Sequence, residues 1–167
     1  MKEKINKYLS GLIGLKLSRQ TRAASMQCFQ FGNLKEISNT KSIGEFALHI
    51  QCAWRFTNEI EIIAGHMDLY NQSNENAEYD ENFDWTVYNS NLRDVKLNKL
   101  LSDFRLIVIS ACIDKFGGLE IQLDNKIKLS IFPEESSKAD IEYWRLIDNK
   151  NDKSKHFVSW STGFEAE

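Results

Sequence analysis

Three polar side chains that bind ligands well recur on one side of the segment 46–56. These are His49, Gln51 and Arg55, and the residues between them are mostly apolar. Side chains two positions apart point to the same face of an extended strand, so the three share a surface. Arg and Gln offer donors of fixed geometry to a carboxylate, which predicts the floor of a ligand pocket or a partner-facing patch. An ordinary solvent face, with Arg55 paired to a carboxylate on a neighbouring strand, explains the same pattern.

A second candidate is the segment 71–91, which is rich in asparagine and carboxylates and contains no Lys or Arg. Its acidic side chains are Glu75, Glu78, Asp80, Glu81 and Asp84. A dense patch of one sign attracts a partner of the opposite charge, which predicts a loop that binds a basic protein. The alternative is an insertion that only adds solubility. A polar loop of this length is either functional or mobile.

Motifs for metal binding or catalysis are incomplete. Asp80, Asn82 and Asp84 copy the first half of a calcium loop. Trp85 then stands where that loop requires Gly, and Asn91 stands where it requires Glu. The histidines lack zinc-ligand spacing, and the chain has no phosphate loop or nucleophile elbow. We therefore predict no metal, no cofactor and no catalytic residue, and an enzyme is only the third functional hypothesis.

Length and composition predict one domain over residues 1–167. Hydrophobic residues make up 42% of the chain, which is enough for a sizeable core at this length. A net charge of −3 argues against nucleic-acid binding, which needs a basic surface, but it is compatible with a basic protein partner. No apolar run reaches the roughly 18 residues of a membrane span, so we predict no membrane association.

The three cysteines predict a reducing compartment. Cys28, Cys52 and Cys112 each lie within an apolar alternation, where an unpaired Cys behaves as a small hydrophobic residue. We expect all three to be buried thiols, and we expect the protein to be cytoplasmic and bacterial.

The apolar periodicity predicts a single α+β domain that is mainly antiparallel sheet. The helix with the clearest period lies at 92–103 with Asn91 as its N-cap, and a short helix within 1–13 is a further candidate. A continuous strand at 45–57 forms the spine of the sheet, and 105–113 is predicted as a central strand covered by the helix. Further strands are predicted at 26–31, 60–64, 119–123, 127–131, 141–147 and 156–160, with polar loops at 32–44, 71–91 and 148–154. The strand at 60–64 is expected to continue towards Leu69 and Tyr70, and 156–160 is expected to be the last strand.

Several segments together resemble a set of small bacterial α+β proteins of unknown function. They are Gly44–Phe56, Leu92–Asp94, Leu129–Pro133, Tyr143–Leu146 and His156–Val158. The resemblance spans about Leu12 to Gly163. Small acidic α+β proteins of this style are similar to the immunity proteins of toxin systems. The resemblance implies no catalytic role and assigns no catalytic residue.

Two functional hypotheses follow from these patterns. The first is a non-enzymatic binding protein, such as an immunity-type inhibitor of a bacterial toxin, that uses the acidic loop and a sheet face. The second is a small-ligand-binding module with a polar pocket around His49, Gln51 and Arg55. Neither hypothesis includes a prediction of the oligomeric state.

Overall fold

Two antiparallel sheets pack face to face in the computed structural model, which describes residues 2–136, 139–150 and 155–166. The described residues form, in chain order, α1 (Lys2–Ser10), β1 (Leu17–Ala23), β2 (Met26–Phe31), β3 (Lys35–Ser38), β4 (Lys41–Ile43), β5 (Phe46–Ile50), β6 (Ala53–Thr57), β7 (Ile62–Gly65), a 3-10 helix (His66–Tyr70), α2 (Leu92–Asp103), β8 (Val108–Ile113), β9 (Leu119–Leu123), β10 (Lys128–Phe132), β11 (Glu142–Asp148), β12 (Lys155–Trp160) and β13 (Gly163–Ala166). The predicted α+β class, with mainly antiparallel sheet, is confirmed.

The larger sheet has the order β1-β2-β5-β11-β12-β13, and the smaller has the order β7-β6-β10-β9-β8. The strands β8, β9 and β10 are consecutive in the chain and form an antiparallel meander in the smaller sheet. Its second turn has positive φ at both Asn125 (57°) and Lys126 (61°), the conformation that matches the twist of a two-residue hairpin. None of the described helices is long and apolar enough to cross a bilayer.

The predicted spine strand is two strands, β5 and β6, which belong to different sheets. The apolar alternation was predicted correctly, since Leu48, Ile50 and Trp54 are all buried in the core. The strand bends between them because the amides of Gln51 and Cys52 both donate to the carbonyl of Tyr143, at 2.9 and 3.3 Å. One strand-forming segment therefore supplies apolar side chains to both sheets, as strands that switch sheets at a bend do.

Aromatic contacts join the two sheets across this bend. Phe29 of β2 meets the Trp54 and Phe56 rings of β6 edge-on, with centroids 5.7 and 5.4 Å apart. All three side chains are at most 1% exposed. Edge-to-face packing of this kind stabilises beyond the area that it buries, so these rings hold the two sheets in a fixed relation.

Both predicted helices are present, and α2 has the predicted bounds. Asn91 is its N-cap, because the Asn91 side chain accepts a hydrogen bond from the Asp94 amide at 2.9 Å. The helix packs on β1, β7 and the 3-10 helix rather than on β8. The prediction that it covers the 105–113 strand is therefore wrong, and α1 packs there instead.

The strand at 105–113 is also not central. It forms β8 at the edge of the smaller sheet, with Ile109 54% exposed and Cys112 exposed. An apolar run on both faces indicates double burial only when both faces are covered, and folded proteins expose many apolar side chains. The prediction that Cys112 is buried is therefore wrong as well, whereas Cys28 is buried and Cys52 is half-buried.

Three further boundaries differ from the prediction. The loop at 32–44 contains the hairpin β3-β4, whose first strand is exposed along its length and so carries no burial alternation. The strand at 62–65 ends in a 3-10 helix because the Asp68 carboxylate accepts the Gly65 amide at 2.9 Å. β13 follows the predicted last strand and pairs with it. Of the predicted loop at 148–154, residues 151–154 lie outside the described residues.

Candidate functional site

The acidic segment lies in a loop over 71–91 that has no helix or strand of its own. The two ends of the loop are joined at the start of α2. The Ser73 amide donates to the Ser90 carbonyl, and the Leu92 amide donates to the Asn71 carbonyl, each at 2.8 Å. These two hydrogen bonds close the loop at its base, where its first and last residues meet.

One amide side chain organises the acidic part of the loop. The Gln72 Nε2 atom donates to the carbonyls of Asn74, Ala77 and Glu78 at 3.0 to 3.1 Å. Its Oε1 atom accepts the Asp80 amide at 2.9 Å. Because a single side chain satisfies four backbone groups, the segment has a defined path although it has no regular secondary structure.

All five predicted acidic side chains are exposed, namely Glu75, Glu78, Asp80, Glu81 and Asp84. Asp80 accepts the amide of Asn82, and Asp84 accepts both the amide and the hydroxyl of Thr86. The hydrogen bonds from Thr86 lower the pKa of Asp84 below its usual range. The contact with Thr86 therefore favours the ionised form of the Asp84 carboxylate.

Aromatic and apolar groups accompany these charges. Tyr79 is 72% exposed among the carboxylates, and Val87 and Tyr88 are more than half exposed beside them. From the sequence, we expect the apolar residues at the far end of the loop, Phe83, Trp85, Val87 and Tyr88, to hold it to the core. Of these residues, only Phe83 and Trp85 are half-buried, whereas Val87 and Tyr88 are exposed. Trp85 packs edge-on against Tyr70, with ring centroids 5.6 Å apart.

A buried ion pair holds the loop instead. The Arg22 Nε atom on β1 lies 3.1 Å from both oxygens of the Asp94 carboxylate, and the two side chains are 7% and 0% exposed. The Arg22 Nη2 atom also donates to the carbonyls of Trp85 and Thr86 at 3.1 and 3.0 Å. Arg22 therefore links the sheet, the helix start and the loop backbone in one contact.

Asp94 also binds the loop directly. Its Oδ2 atom accepts the Asn89 amide at 3.1 Å and the Asn91 side-chain amide at 2.8 Å. The sequence pattern indicates Asn91 as a cap, but it does not indicate the roles of Asp94 and Arg22. An acidic residue three positions after an N-cap is a local signal for part of this network. The partner arginine carries no such signal, because it is distant in the chain.

The structure separates the three residues of the predicted polar pocket. His49 is half-buried on β5 in the larger sheet, Gln51 is exposed at the bend, and Arg55 is exposed on β6 in the smaller sheet. The guanidinium of Arg55 lies over the Phe132 ring, 5.5 Å from its centroid. The bend therefore removes the shared strand face that we predicted for them.

His49 joins a different polar cluster on the larger sheet. It lies opposite Arg145 of β11 in the strand register. The Arg145 guanidinium is 2.8 Å from the Glu142 carboxylate and 2.7 Å from the Nδ1 atom of His156. Burial lowers the pKa of His49, while Glu142 raises it and the cation of Arg145 lowers it further. Neutral His49 is therefore the favoured form in the folded protein.

A cleft of about 670 Å³ is a further feature that the sequence did not indicate. It lies between the turn before β9, the chain after β10 and the turn before β13. The lining includes the aromatic side chains of Phe116, Phe132, Tyr143, Trp160 and Phe164, with the carboxylates of Asp114, Glu134 and Glu135 and the ammonium of Lys115. Four distant chain segments form it, so no local pattern could have revealed it.

The described ranges contain neither a reactive thiol at Cys52 nor a metal site. Burial raises the pKa of Cys52 to about 12, which keeps that thiol protonated and poorly nucleophilic. Across residues 2–136, 139–150 and 155–166, no group of three or more His, Cys, Asp or Glu side chains is placed to hold a metal ion.

Replacement of Arg22 by Met should lower the free energy of unfolding by about 3–5 kcal/mol, because it leaves Asp94 buried without its cation. Urea unfolding measures this loss. Amide hydrogen exchange should at the same time become faster over 85–91, where the loop backbone loses its donor. The matched control is Arg19→Met on the same strand, since Arg19 donates to Ser42 outside this network. Equal stability of the two variants, with unchanged exchange at 85–91, would contradict the anchoring role.

Stability should fall as the pH is lowered through the normal histidine range. Because burial lowers the folded-state pKa of His49, the unfolded chain takes up this proton first. The contribution of neutral His49 is fully present above its unfolded pKa of about 6.5 and is lost as the pH falls towards the folded value. His66 acts in the same direction, since burial also lowers its pKa. The His49→Gln variant should show a shallower decrease in melting temperature between about pH 7.5 and pH 5. A slope identical to that of the wild type would rule out this contribution.

Comparisons with protein-family models, with curated proteins and with solved structures found no match to this chain. The resemblance to small bacterial proteins of the immunity type therefore remains a prediction from the sequence.

Proposed function

We propose that this protein is a non-enzymatic binding protein whose acidic loop, residues 71–84, binds a basic surface of a protein partner. The observation that carries the proposal is the anchored display of exposed carboxylates around Tyr79. In its finer form, the partner is a bacterial toxin and this protein is its cytoplasmic immunity-type inhibitor. The resemblance in sequence supports that finer form, and the cysteines without disulfides are compatible with a reducing compartment.

Preorganisation supports a binding role for the loop. Ordering a mobile segment upon binding costs free energy and so reduces the affinity. The hydrogen bonds of Gln72 and Arg22 already order this loop in the folded protein, before a partner binds. A loop whose only purpose was solubility would need no such anchoring. The loop therefore offers its charges in one arrangement rather than as an average over many.

The chemistry of the loop fits association better than proton transfer. A general acid needs a raised pKa near the working pH, whereas the pKa of Asp84 is lowered by Thr86. Ionised, exposed carboxylates increase the rate at which a basic partner associates. Tyr79 adds a rigid aromatic contact of the kind that is enriched among residues dominating interface energies.

Charge reversal tests this proposal. The double variant Glu78→Lys with Glu81→Lys changes two exposed charges and leaves Asp80 and Asp84 to cap the loop backbone. We expect the affinity for the isolated partner to fall by about tenfold or more, mainly through slower association, and to depend less on salt. Surface plasmon resonance at several salt concentrations measures both rates.

The matched control reverses two acidic residues elsewhere, Glu36→Lys with Glu61→Lys, which are also exposed. It makes the same change in net charge at a distance in sequence from the loop. The proposal predicts that this control retains most of the affinity. Equal losses in both double variants would indicate a general effect of charge, and no loss in either would exclude the loop from the interface.

The second candidate function is a small-ligand-binding module, and the observation that favours it is the cleft. Its volume is within the usual range for ligand sites, roughly 300–1,000 Å³. Aromatic walls with an excess of carboxylates over ammonium groups favour a ligand with an apolar body and a positive charge. This site differs from the polar pocket predicted around His49, Gln51 and Arg55.

A thermal-shift screen of amines and quaternary ammonium compounds tests the second candidate. A ligand of the cleft should raise the melting temperature by several degrees at saturating concentration. The Phe116→Ser variant should remove the shift, since Phe116 lines the cleft and is 72% exposed. Phe104→Ser, at an exposed position outside the cleft, should leave it unchanged. If no compound raises the melting temperature, or if both variants behave alike, the cleft does not bind such ligands.

A further inference from the structure

The most unusual buried group in the described structure is the guanidinium of Arg93. Arg93 is 0% exposed in the first turn of α2. Its Nη1 atom donates to the carbonyls of Ser25 and His66, at 3.2 and 3.5 Å. Its Nε and Nη2 atoms are buried and have no hydrogen-bond partner among the described residues. Buried polar atoms are almost always paired, and an unpaired donor on a charged group is especially costly.

Two neighbours of Arg93 share this condition. The Arg93 guanidinium lies over the Trp54 ring, 5.8 Å from its centroid, and the Trp54 Nε1 atom is buried without a partner in the described protein. The same holds for the Nδ1 atom of His66, whose carbonyl contacts Arg93. The β6-β7 pairing explains the proximity, because Arg55 pairs with Gly65 and these two residues directly neighbour Trp54 and His66 in the chain. Four unpartnered nitrogen atoms therefore occur on three neighbouring side chains.

The charge of Arg93 is not matched by a carboxylate of its own. Asp94 and Asp68 both act on it electrostatically, but each has another cation. Asp94 is paired with Arg22 at 3.1 Å, and Asp68 lies 3.9 Å from Lys96. Burial outweighs these carboxylates and lowers the pKa of Arg93 to about 10. A water molecule would satisfy the hydrogen bonds but would leave this charge uncompensated.

We propose that Arg93, Trp54 and His66 form a binding site for a small monovalent anion of the size of chloride. The anion accepts hydrogen bonds from the Nε and Nη2 atoms of Arg93 and from the indole Nε1 of Trp54. The His66 ring adds a donor when Nδ1 carries its proton. His66 is only half-buried, so the anion enters and leaves from its side of the cluster.

The site has a structural consequence for the acidic loop. Arg93 directly precedes Asp94, whose carboxylate holds the loop through Asn89 and Asn91. An anion at Arg93 would neutralise the excess positive charge at the start of α2 and stabilise the junction of β6, the 3-10 helix and α2. The anion would bind apart from the exposed carboxylates of the loop, because Arg93 and Trp54 are at most 1% exposed.

Thermal unfolding in chloride and in gluconate, at equal ionic strength, tests the site. For a dissociation constant of about 10 mM, the melting temperature should rise by about 3–6 °C as chloride replaces gluconate from about 10 mM to about 0.5 M. Arg93→Met should remove the dependence on chloride, and Arg19→Met should retain it. If Arg93→Met does not fold, Trp54→Phe keeps an aromatic ring and should weaken chloride binding by about tenfold through the loss of one donor.

A bromide soak of crystals of the unmodified protein gives an independent result. We expect an anomalous peak within about 3.5 Å of the Arg93 guanidinium. Equal melting temperatures in chloride and gluconate would overturn the proposal. The proposal would also be overturned if no anomalous peak appears at Arg93 or if the density there refines as water. A chloride effect that persists unchanged in Arg93→Met would overturn it as well.

Discussion

The buried carboxylate of Asp94 is the constraint on which the position of the loop at 71–91 depends. A fully buried carboxylate must be surrounded by donors, because its isolated charge is too costly in the protein interior. Here the donors come from Arg22 on β1, from the helix cap Asn91 and from the loop amide of Asn89. The ion pair and hydrogen bonds to this one carboxylate therefore join the sheet, the start of α2 and the end of the loop. The acidic residues at 75–84 precede this junction in the chain, and the hydrogen bonds of Gln72 fix their path.

In the core, the bend between β5 and β6 connects the two sheets. Because β5 and β6 belong to different sheets, the segment that carries Trp54 connects both sheets through side chains and through the backbone. The same bend separates His49 from Arg55 and brings Trp54 close to the start of the 3-10 helix. Trp54 thus packs in the core next to Arg93, which lies in the first turn of α2. These neighbouring residues connect the core to the start of α2, where the acidic loop ends.

Local signals predicted the fold where the structure has local causes. The helix at 92–103 was predicted with its cap because apolar period and capping chemistry both lie within a few residues of each other. The alternation around Trp54 was also predicted, but the bend was not, because its cause is the carbonyl of Tyr143 in a distant strand. The edge position of β8 and the exposure of Cys112 depend on sheet order, which short-range pattern does not encode.

The same distinction applies to the candidate site. The acidic loop was evident from composition, whereas its anchor Arg22 was not, because an arginine in a polar strand resembles any solvent-facing cation.

The proposed role of the anchored acidic loop, which is to bind a basic protein, can be tested directly. The most direct measurement is affinity capture of the tagged protein from a lysate of its own organism, followed by hydrogen-exchange mapping of the recovered complex. If the loop binds as proposed, a basic partner is retained at low salt and released at high salt, and amides within 71–84 are protected in the complex. A partner whose retention is independent of salt and whose footprint lies elsewhere, with 71–84 unprotected, would contradict it.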